Sequence, residues 1–372
     1  MEDKMKNQES PKIRLAVIGA GWRAHYYIRI ANALPDLFEK PIVLVRSREK
    51  AEVLRAQEGL NATERAEELE EYCPHFIVCA VRKGDIFDVS LPWLKKGFTV
   101  LGETPAAMSV PELVRIWDAK SLGANYLVAE QYRFYPEISA ILKVLQKGMI
   151  GDPYLARVSY AHEYHGASLI RAILNTGITP FRLAGEQYSF PVVETLTRYK
   201  ASREMKFVKK PQDIFRIAFE NGKLGLYFFN SEQYRSPIRA NSIHVLGERG
   251  EFRDGTFSWM DEQMISHRES LDIVERTVCT DDPNPNFAKV REILKITFRG
   301  ATVYEKIYSQ GATLSQDEAA ILTLMLNAVR EPESVVSLEE ALEDAYTAML
   351  MREAIDTGAE VRSRRMPWAI DR

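Results

Sequence analysis

The chain has few cysteines and no long apolar run, and these absences exclude several classes of protein. Its 372 residues include three cysteines, Cys73, Cys79 and Cys279, without C-x-x-C spacing or the density of a disulfide scaffold. We therefore expect free thiols in a reducing compartment. The run H-F-I-V-C-A-V at 75–81 is far shorter than the roughly 20 apolar residues of a membrane-spanning helix. The charged first ten residues lack the apolar core of a signal peptide. We expect a cytoplasmic protein without membrane contact.

An excess of charge of one sign is also missing. Lysine and arginine total 49, aspartate and glutamate 52, and the net charge is -3. Such a chain has no basic field to attract a phosphate backbone, so nucleic acid is not an expected partner. Hydrophobic residues make up 46% of the sequence. A chain of this length and composition is expected to form about two domains, each with its own core.

Short apolar runs alternate with helix-like stretches through the first 130 residues. Runs that are apolar on both faces are typical of parallel strands covered by helices on each side. The pattern predicts a doubly wound, Rossmann-type domain over residues 12–130, after a disordered tail over residues 1–11. The predicted strands lie at 13–18, 41–45, 75–81, 98–101 and 125–129. The predicted helices lie at 25–38, 49–58, 85–96 and 111–120, the last opening with a capping box at Ser109.

The pattern changes after Gly148, where the predicted strands become longer and mixed in polarity. The dipeptide Asn221-Gly222 between two apolar segments predicts a tight hairpin. Two helices are predicted at 315–330 and 337–357, each beginning with the S-x-x-E of a capping box. Residues 131–372 are therefore predicted to form a substrate-binding α+β domain with a mainly antiparallel, open-faced sheet, whose terminal helix can pack back on the first domain. The predicted strand segments are 154–164, 190–201, 213–234, 241–254 and 291–308.

A glycine-rich loop follows the first predicted strand. The sequence Gly19-Ala20-Gly21-Trp22-Arg23-Ala24 has the form G-x-G-x-x-A. In this position the first glycine permits a tight turn, the second lets backbone approach a pyrophosphate, and the small alanine lets the helix pack closely. The loop predicts a dinucleotide site; the alternative is a glycine turn retained by a protein that binds no dinucleotide.

The end of the second predicted strand bears on the choice of dinucleotide. An NAD site usually has a carboxylate there, which accepts the ribose hydroxyls. This strand instead continues into Arg46-Ser47-Arg48. Because guanidinium groups suit a 2′-phosphate, we predict NADP as the cofactor, with NAD as the second choice. The alternative is that the two arginines only cap an exposed turn.

Three further segments, in order and spacing, give the sequence a family resemblance. They are G-F-T-V-L-G-E-T-P at 97–105, A-E-Q-Y-R-F-Y-P at 129–136 and K-G-M-I-G-D-P at 147–153. With the glycine loop, they resemble the glucose–fructose oxidoreductase, inositol dehydrogenase and MocA (Gfo/Idh/MocA) family of NAD(P)-dependent dehydrogenases over nearly the whole chain. The resemblance implies substrate bound between two domains, and hydride transfer between a nicotinamide and a sugar, polyol or related hydroxylated molecule. It also implies a homo-oligomer paired through the second-domain sheet.

The resemblance implies three groups that handle protons: the lysine of an E-K-P turn, and the histidine and aspartate of H-x-x-D. Here Glu103 and Pro105 match the turn, but Thr104 replaces the lysine. His165 matches the second motif, but Ser168 replaces the aspartate. Threonine has no useful pKa near neutrality, and serine needs a neighbouring base. We predict His165 as the acid/base, with Thr104 and Ser168 as further catalytic candidates. The resemblance also allows a cis peptide bond before Pro105.

The remaining candidates follow from position in the predicted sheet. Tyr132 and Arg133 lie just beyond the fifth predicted strand, where such sheets present ligand groups, or else they form an interdomain packing pair. Strand alternation places His162 and His165 on opposite faces, and we expect no metal site. The predicted substrate contacts are Tyr132, Arg133, His162 and His165. The predicted cofactor contacts are Gly19, Gly21, Trp22, Arg23, Ala24, Arg46, Ser47, Ala80, Val81, Glu103, Thr104 and Pro105.

Two functions are compatible with these residues. The first is an NAD(P)-dependent oxidoreductase in which His165 is the surviving acid/base. The second is a non-catalytic dinucleotide- or sugar-binding descendant of such an enzyme. The retained glycine loop fits both. The lost lysine and aspartate favour the second, whereas His165 and the frame of Glu103 and Pro105 favour the first.

Overall fold

The first sheet of the protein is parallel and covered on both faces. A computed structural model describes residues 11–197, 200–281, 284–309 and 311–369; the tail predicted over 1–11 lies outside these ranges except for its last residue. Within the described ranges this sheet has six strands: β1 (Leu15–Ile18), β2 (Ile42–Leu44), β3 (Asn61–Thr63), β4 (Phe76–Cys79), β5 (Val100–Gly102) and β6 (Tyr126–Val128). Their order is β3-β2-β1-β4-β5-β6, and neighbouring strands are parallel. This is the strand order of a dinucleotide-binding Rossmann domain, as predicted.

Alternation along β1 shows why the sheet needs two layers of helices. Ala16 and Ile18 belong to one hydrophobic cluster, whereas Leu15 and Val17 belong to another. Both faces of the strand are therefore buried, which explains its continuous apolar run. The helices of this domain are α1 (Trp22–Ala33), α2 (Arg48–Glu58), α3 (Ala66–Glu71), α4 (Ile86–Lys95) and α5 (Val110–Ser121).

The second domain is built on a larger, mixed sheet. Within the described ranges it has nine strands in the order β14-β13-β12-β11-β7-β10-β9-β8-β18, and β15, β16 and β17 form a separate sheet. Only β7 and β10 pair in parallel; the other described pairs of these two sheets are antiparallel. The predicted fold class, a Rossmann domain followed by an α+β domain, is confirmed. The strands are β7 (Pro153–Ser159), β8 (Phe181–Val193), β9 (Phe207–Phe219), β10 (Leu224–Asn230), β11 (Ser242–Gly247), β12 (Gly250–Arg253), β13 (Thr256–Met260), β14 (Ser266–Ser270), β15 (Asp272–Cys279), β16 (Lys289–Phe298), β17 (Ala301–Glu305) and β18 (Val361–Arg362).

The helices after residue 130 join the two domains. Arg29 on the first domain pairs with Glu318 at 2.5 Å, and Lys120 pairs with Glu339 at 2.6 Å. Both carboxylates lie in the first turns of C-terminal helices, so these helices contact the Rossmann domain. No helix in the described part of the chain is both long and apolar enough to cross a membrane. The helices are α6 (Pro136–Gln146), α7 (Glu163–Leu174), α8 (Gln316–Arg330) and α9 (Leu338–Thr357), with 3₁₀ turns at Lys83–Asp85, Tyr132–Phe134, Ser231–Tyr234 and Pro332–Ser334.

The local signals in the sequence differ in how well they specify the structure. Asn221-Gly222 joins two antiparallel strands, as predicted. The capping box of Ser315 and Glu318 forms with both of its hydrogen bonds. The box predicted at Ser109 is wrong, because this side chain accepts no cap hydrogen bond from the described residues. Ser337 caps α9 by accepting a hydrogen bond from a backbone N–H, without the reciprocal half of the box.

The strand predicted over 154–164 is too long. β7 ends at Ser159, and α7 begins at Glu163. Every residue from Tyr164 to Arg171 is buried, which the alternating faces of a half-covered strand would not give. Residues three apart at a helix start lie on the same side, so the two histidines predicted on opposite faces come together.

Candidate active site

A cleft of about 1430 Å³ runs along the carboxyl edge of the first sheet and continues to the start of α7. Such an edge is where doubly wound sheets bind ligands. Ala24 and Pro105 are not among the described residues that line the cleft. The predicted cofactor contacts that line it are Gly19, Gly21, Trp22, Arg23, Arg46, Ser47, Ala80, Val81, Glu103 and Thr104. The cleft thus collects residues from four separate strand ends.

The glycine loop has the shape that a pyrophosphate requires. Gly19 has a φ of +109°, and a Cβ there would lie 2.5 Å from the carbonyl oxygen of Ala80. Only glycine fits this turn. A Cβ on Gly21 would meet no described atom within 4 Å, so the space beside it is open. Gly21 begins α1 without a side-chain cap from the described residues, which leaves backbone N–H donors for an anion. The loop fits a dinucleotide.

Two of the predicted cofactor contacts bind each other. Arg23 donates from Nε to Glu103 at 2.9 Å and from a terminal nitrogen to Asp317 at 2.8 Å. The hydroxyl of Tyr27 donates to the same oxygen of Glu103 at 2.6 Å. Glu103 is therefore held by the first helix, and Arg23 connects the glycine loop to α8. Both side chains position the cleft wall, and their charges are largely satisfied within the protein.

The ribose end of the cleft presents one of the two predicted arginines. Arg46 is exposed and lines the cleft. Ser47 also lines it, and its hydroxyl caps α2 by accepting from the N–H of Lys50 at 3.3 Å. Arg48 pairs with Glu52 at 2.8 Å and is not among the described lining residues. A 2′-phosphate contact at this end would involve Arg46 and Ser47.

Thr104 and His165 meet at the other end of the cleft. Their Oγ1 and Nε2 atoms are 3.5 Å apart, and the peptide bond between Thr104 and Pro105 is cis. The side chain of His165 is only 3% exposed, yet it lines the cleft. The turn that resembles E-K-P and the helix start that resembles H-x-x-D therefore form one site, although the lysine and the aspartate are both absent.

A carboxylate that the sequence analysis missed completes this site. Nδ1 of His165 lies 2.6 Å from Oε2 of Glu130, whose side chain is fully buried. The other oxygen of Glu130 accepts from the N–H of Tyr132 at 2.9 Å. Burial raises the pKa of Glu130 to about 7, although Arg133 acts in the opposite direction. Burial also lowers the pKa of His165. Near neutral pH, the imidazole of His165 is therefore neutral, and the carboxyl group of Glu130 beside it changes between its protonated and ionised forms.

The structure does not bring Ser168 and Arg133 to the cleft. Ser168 is fully buried and accepts from Nε of Arg133 at 2.8 Å. The guanidinium of Arg133 pairs with Glu340 at 2.7 Å and with Asp344 at 3.0 Å. Neither Ser168 nor Arg133 is among the described residues that line the cleft. Together they brace α7 against α9, outside the cleft.

Aromatic side chains form the wall beside His165. The ring centroids of Tyr132 and Tyr135 are 4.7 Å apart at an interplanar angle of 13°, and Tyr132 lies 4.4 Å from the ring of His165. The ring of His162 lies 4.7 Å from that of His165, and the backbone N–H of His162 donates to the hydroxyl of Tyr234 at 2.9 Å. An apolar wall edged with hydroxyl and imidazole groups suits a small ligand with many hydroxyls.

The comparison with protein families identifies the first domain. Residues 13–129 match the sequence model of GFO_IDH_MocA, described as an oxidoreductase family with an NAD-binding Rossmann fold. These residues, which make up the first domain, are similar to that family. The resemblance drawn from the motifs is confirmed. The first domain therefore has an NAD(P)-binding fold.

Solved structures show the same fold over both domains. Levoglucosan dehydrogenase in complex with NADH aligns with a TM-score of 0.65 at 14% identity, over 96% of this chain and 100% of its own. Myo-inositol 2-dehydrogenase from Lactobacillus plantarum gives 0.61 at 14%, over 95% and 100%. An oxidoreductase from Agrobacterium radiobacter, in complex with NAD+, L-tartaric acid and magnesium, gives 0.64 at 14%, over 94% and 98%. At this identity the likeness shows the fold. No curated protein sequence matched the chain.

Proposed function

We propose that the protein is an NAD(P)-dependent oxidoreductase that interconverts the alcohol and carbonyl forms of a sugar, polyol or related hydroxylated small molecule. The observation that carries this proposal is the pairing of His165 with Glu130 at the end of the cleft that begins at the glycine loop. The loop fits the dinucleotide, and the pair supplies a group that can exchange a proton near neutral pH. The structural neighbours that are dehydrogenases of a sugar derivative and of a polyol support the substrate class.

The chemistry divides between the cofactor and the chain. The nicotinamide, when bound, accepts or donates the hydride. Oxidation of the alcohol also releases the hydroxyl proton, and Nε2 of His165 is placed to accept it. Because burial disfavours a charged imidazolium, the proton on Nδ1 passes at the same time to Glu130. The ring stays neutral and the carboxylate becomes a carboxylic acid. Reduction runs through the same transfers in reverse, and His165 then donates a proton to the forming alcohol.

The direct test is an activity screen with a panel of sugars and polyols, followed through the absorbance of NADPH and NADH. Turnover of one member supports the proposal, and that activity is expected to depend on His165. Tight dinucleotide binding without turnover of any member in either direction would support the alternative, a non-catalytic descendant of the family.

Thr104 keeps a positioning role without the proton transfer of the lysine it replaces. Its hydroxyl can donate to Nε2 of His165 or to a ligand, but it cannot act unaided as a base at neutral pH. We expect Thr104→Ala to lower kcat by about tenfold or less, the loss of one neutral hydrogen bond. Steady-state kinetics on a substrate found in the screen measures this. A loss of roughly a thousandfold would instead identify Thr104 as a proton-transfer group.

We infer a preference for NADP over NAD from the ribose end of the cleft. Arg46→Ala is expected to weaken NADPH binding by at least about tenfold, because a charge-assisted hydrogen bond to the 2′-phosphate is lost, and to leave NADH binding unchanged. Titration calorimetry with both dinucleotides measures the two affinities. Arg48→Ala is the matched control, since Arg48 pairs with Glu52 outside the cleft. Equal or stronger binding of NADH by the unmodified protein would overturn the preference.

We further infer a cytoplasmic location and a homo-oligomer that pairs through the second-domain sheet. Tyr188 and Phe190 support the pairing, because these large apolar side chains are exposed on the same face of β8. Exposed apolar groups clustered on one sheet are typical of a protein interface.

A further inference from the structure

One arginine that lines the cleft has no ionic partner among the residues that the structure describes. Arg235 follows the 3₁₀ turn Ser231–Tyr234, is half-buried and lines the cleft. Its guanidinium carbon lies 5.7 Å from the centroid of the Tyr234 ring. Among the described residues, no carboxylate lies within 4.0 Å of its guanidinium. Arg23 in the same cleft contrasts with it, because Arg23 binds two carboxylates.

The turn that carries Arg235 is held in place by a network of hydrogen bonds. Asn230 and Gln233 form a reciprocal capping box around the turn. The amide of Gln233 also donates to the hydroxyl of Ser159 and to the carbonyl of Ala240, each at 2.9 Å. The turn before the arginine is therefore fixed to β7 and to the segment that precedes β11. Such a turn presents a side chain at a defined place rather than at a mobile tip.

A continuous row of polar side chains joins Arg235 to the catalytic end of the cleft. The hydroxyl of Tyr234 contacts the ring of His162, and the rings of these two residues are 6.1 Å apart. The ring of His162 is in turn 4.7 Å from that of His165. A ligand whose hydroxyl reaches His165 therefore lies along a wall that ends at Arg235.

We propose that the substrate carries a carboxylate and that Arg235 binds it, so that the substrates are polyhydroxy acids such as uronates or aldonates. This inference rests on the proposed function and names its substrate class. A half-buried guanidinium loses hydration, and a planar carboxylate that accepts two parallel hydrogen bonds restores what is lost. Glu103 and Asp317 are already paired with Arg23. Away from the ribose end, Arg235 and Lys83 line the cleft without a carboxylate partner among the described residues; of these two, Arg235 is half-buried and Lys83 is exposed. A neutral sugar would bind the same wall without that contact.

Matched acid and neutral probes test this assignment by binding alone. The protein is first saturated with NADPH or NADH, whichever binds more tightly, in the reduced form so that alcohols do not turn over. D-glucuronate is then compared with D-glucose, and D-gluconate with D-sorbitol, by titration calorimetry. We expect at least one acid to bind about tenfold or more tightly than its neutral counterpart, the scale of one charge-assisted pair.

The arginine variants connect this preference to one side chain. Arg235→Gln is expected to abolish the preference for the acid while leaving the affinity for the neutral probe within about twofold, and Arg235→Lys to retain part of it. Arg239→Gln is the matched control, because Arg239 is exposed in the same loop and is not among the described lining residues. Thermal unfolding of each variant confirms that the fold is intact.

Three results would overturn the assignment. They are an absence of preference for either acid, a preference that survives in Arg235→Gln, and a loss of dinucleotide affinity in that variant in place of acid affinity. Failure of the proposed function gives a different result. If the acids bind through Arg235 but are neither oxidised nor formed from their oxo counterparts, the carboxylate site stands and the enzymatic proposal fails.

Discussion

Replacing His165 with alanine is expected to lower kcat by about 10²–10⁴-fold, the usual contribution of a general acid or base. The imidazole is the group at the catalytic end of the cleft that contacts both Thr104 and a buried carboxylate. Its loss leaves the substrate hydroxyl without a proton acceptor. The affinity for the dinucleotide should change little, because the glycine loop and the ribose end of the cleft are untouched. Steady-state kinetics in both directions, with calorimetric titration of the dinucleotide, measures the two effects.

Controls separate chemistry from packing in this experiment. His165 is buried, so its truncation also removes packing, and His165→Asn provides a variant of closer size. His244→Ala removes a histidine that pairs with Glu251 in the second-domain sheet, and it should retain full activity. If kcat is unchanged in His165→Ala on a genuine substrate, the histidine is structural, and the proton transfer must be assigned to another group.

Replacing Glu130 with glutamine is expected to remove the pH dependence of kcat/KM that comes from the titration of this carboxyl group. In the unmodified protein, the Glu130–His165 pair must lose its extra proton before it can accept one from an alcohol. Because the pKa of Glu130 is raised to about 7, kcat/KM for oxidation should rise as pH increases through 7, and that for reduction should fall. Glutamine cannot take the proton. Glu130→Gln should flatten both profiles and lower oxidation at about pH 8 by roughly 10–100-fold.

The stability of the same variant distinguishes a positioning role in catalysis from a merely structural one. A carboxyl whose pKa is higher in the folded state stabilises the protein most below its unfolded pKa of about 4.3, and that contribution is lost as pH rises through the folded value. At about pH 8, Glu130→Gln removes the cost of a buried charge and should increase the free energy of unfolding by about 1–3 kcal/mol. Glu343→Gln is the control: Glu343 is buried against Trp368 and is not among the described lining residues. Lower stability of Glu130→Gln at every pH, with an unchanged activity profile, would contradict the role proposed for Glu130.

The parallel sheet could be predicted from the sequence because burial on both faces gives it a strong signal. β1 and β4 are fully apolar, and the glycine loop marks where β1 ends. β3 was missed, since its sequence, N-A-T, is short and mostly polar. The helix boundary near residue 162 was placed wrongly because Tyr164 extends an apparent strand pattern in the sequence. In the structure Tyr164 is buried in the first turn of α7.

Only part of the site could be predicted, because some of its residues pair with partners that are far away in the sequence. His165 and Thr104 could be found because each lies in a motif. Glu130 pairs with a histidine 35 residues away, and its sequence signal was a lone carboxylate directly after an apolar strand. Arg133 was predicted to line the cleft. Its largely buried guanidinium instead lies where carboxylates can pair with it, and one of these, Asp344, is 211 positions further along the chain. A single sequence gives no indication of that pairing.

The ion pair between Arg23 and Glu103 determines what a lysine at position 104 would contact. The family resemblance implies a lysine where Thr104 now stands, beside a glutamate that Arg23 and Tyr27 already occupy. Reintroducing a lysine there would bring a second cation next to Arg23 and against a histidine that burial keeps uncharged. The single change Thr104→Lys is therefore not expected to supply the proton-transfer lysine that the family resemblance implies, unless Arg23 is replaced as well.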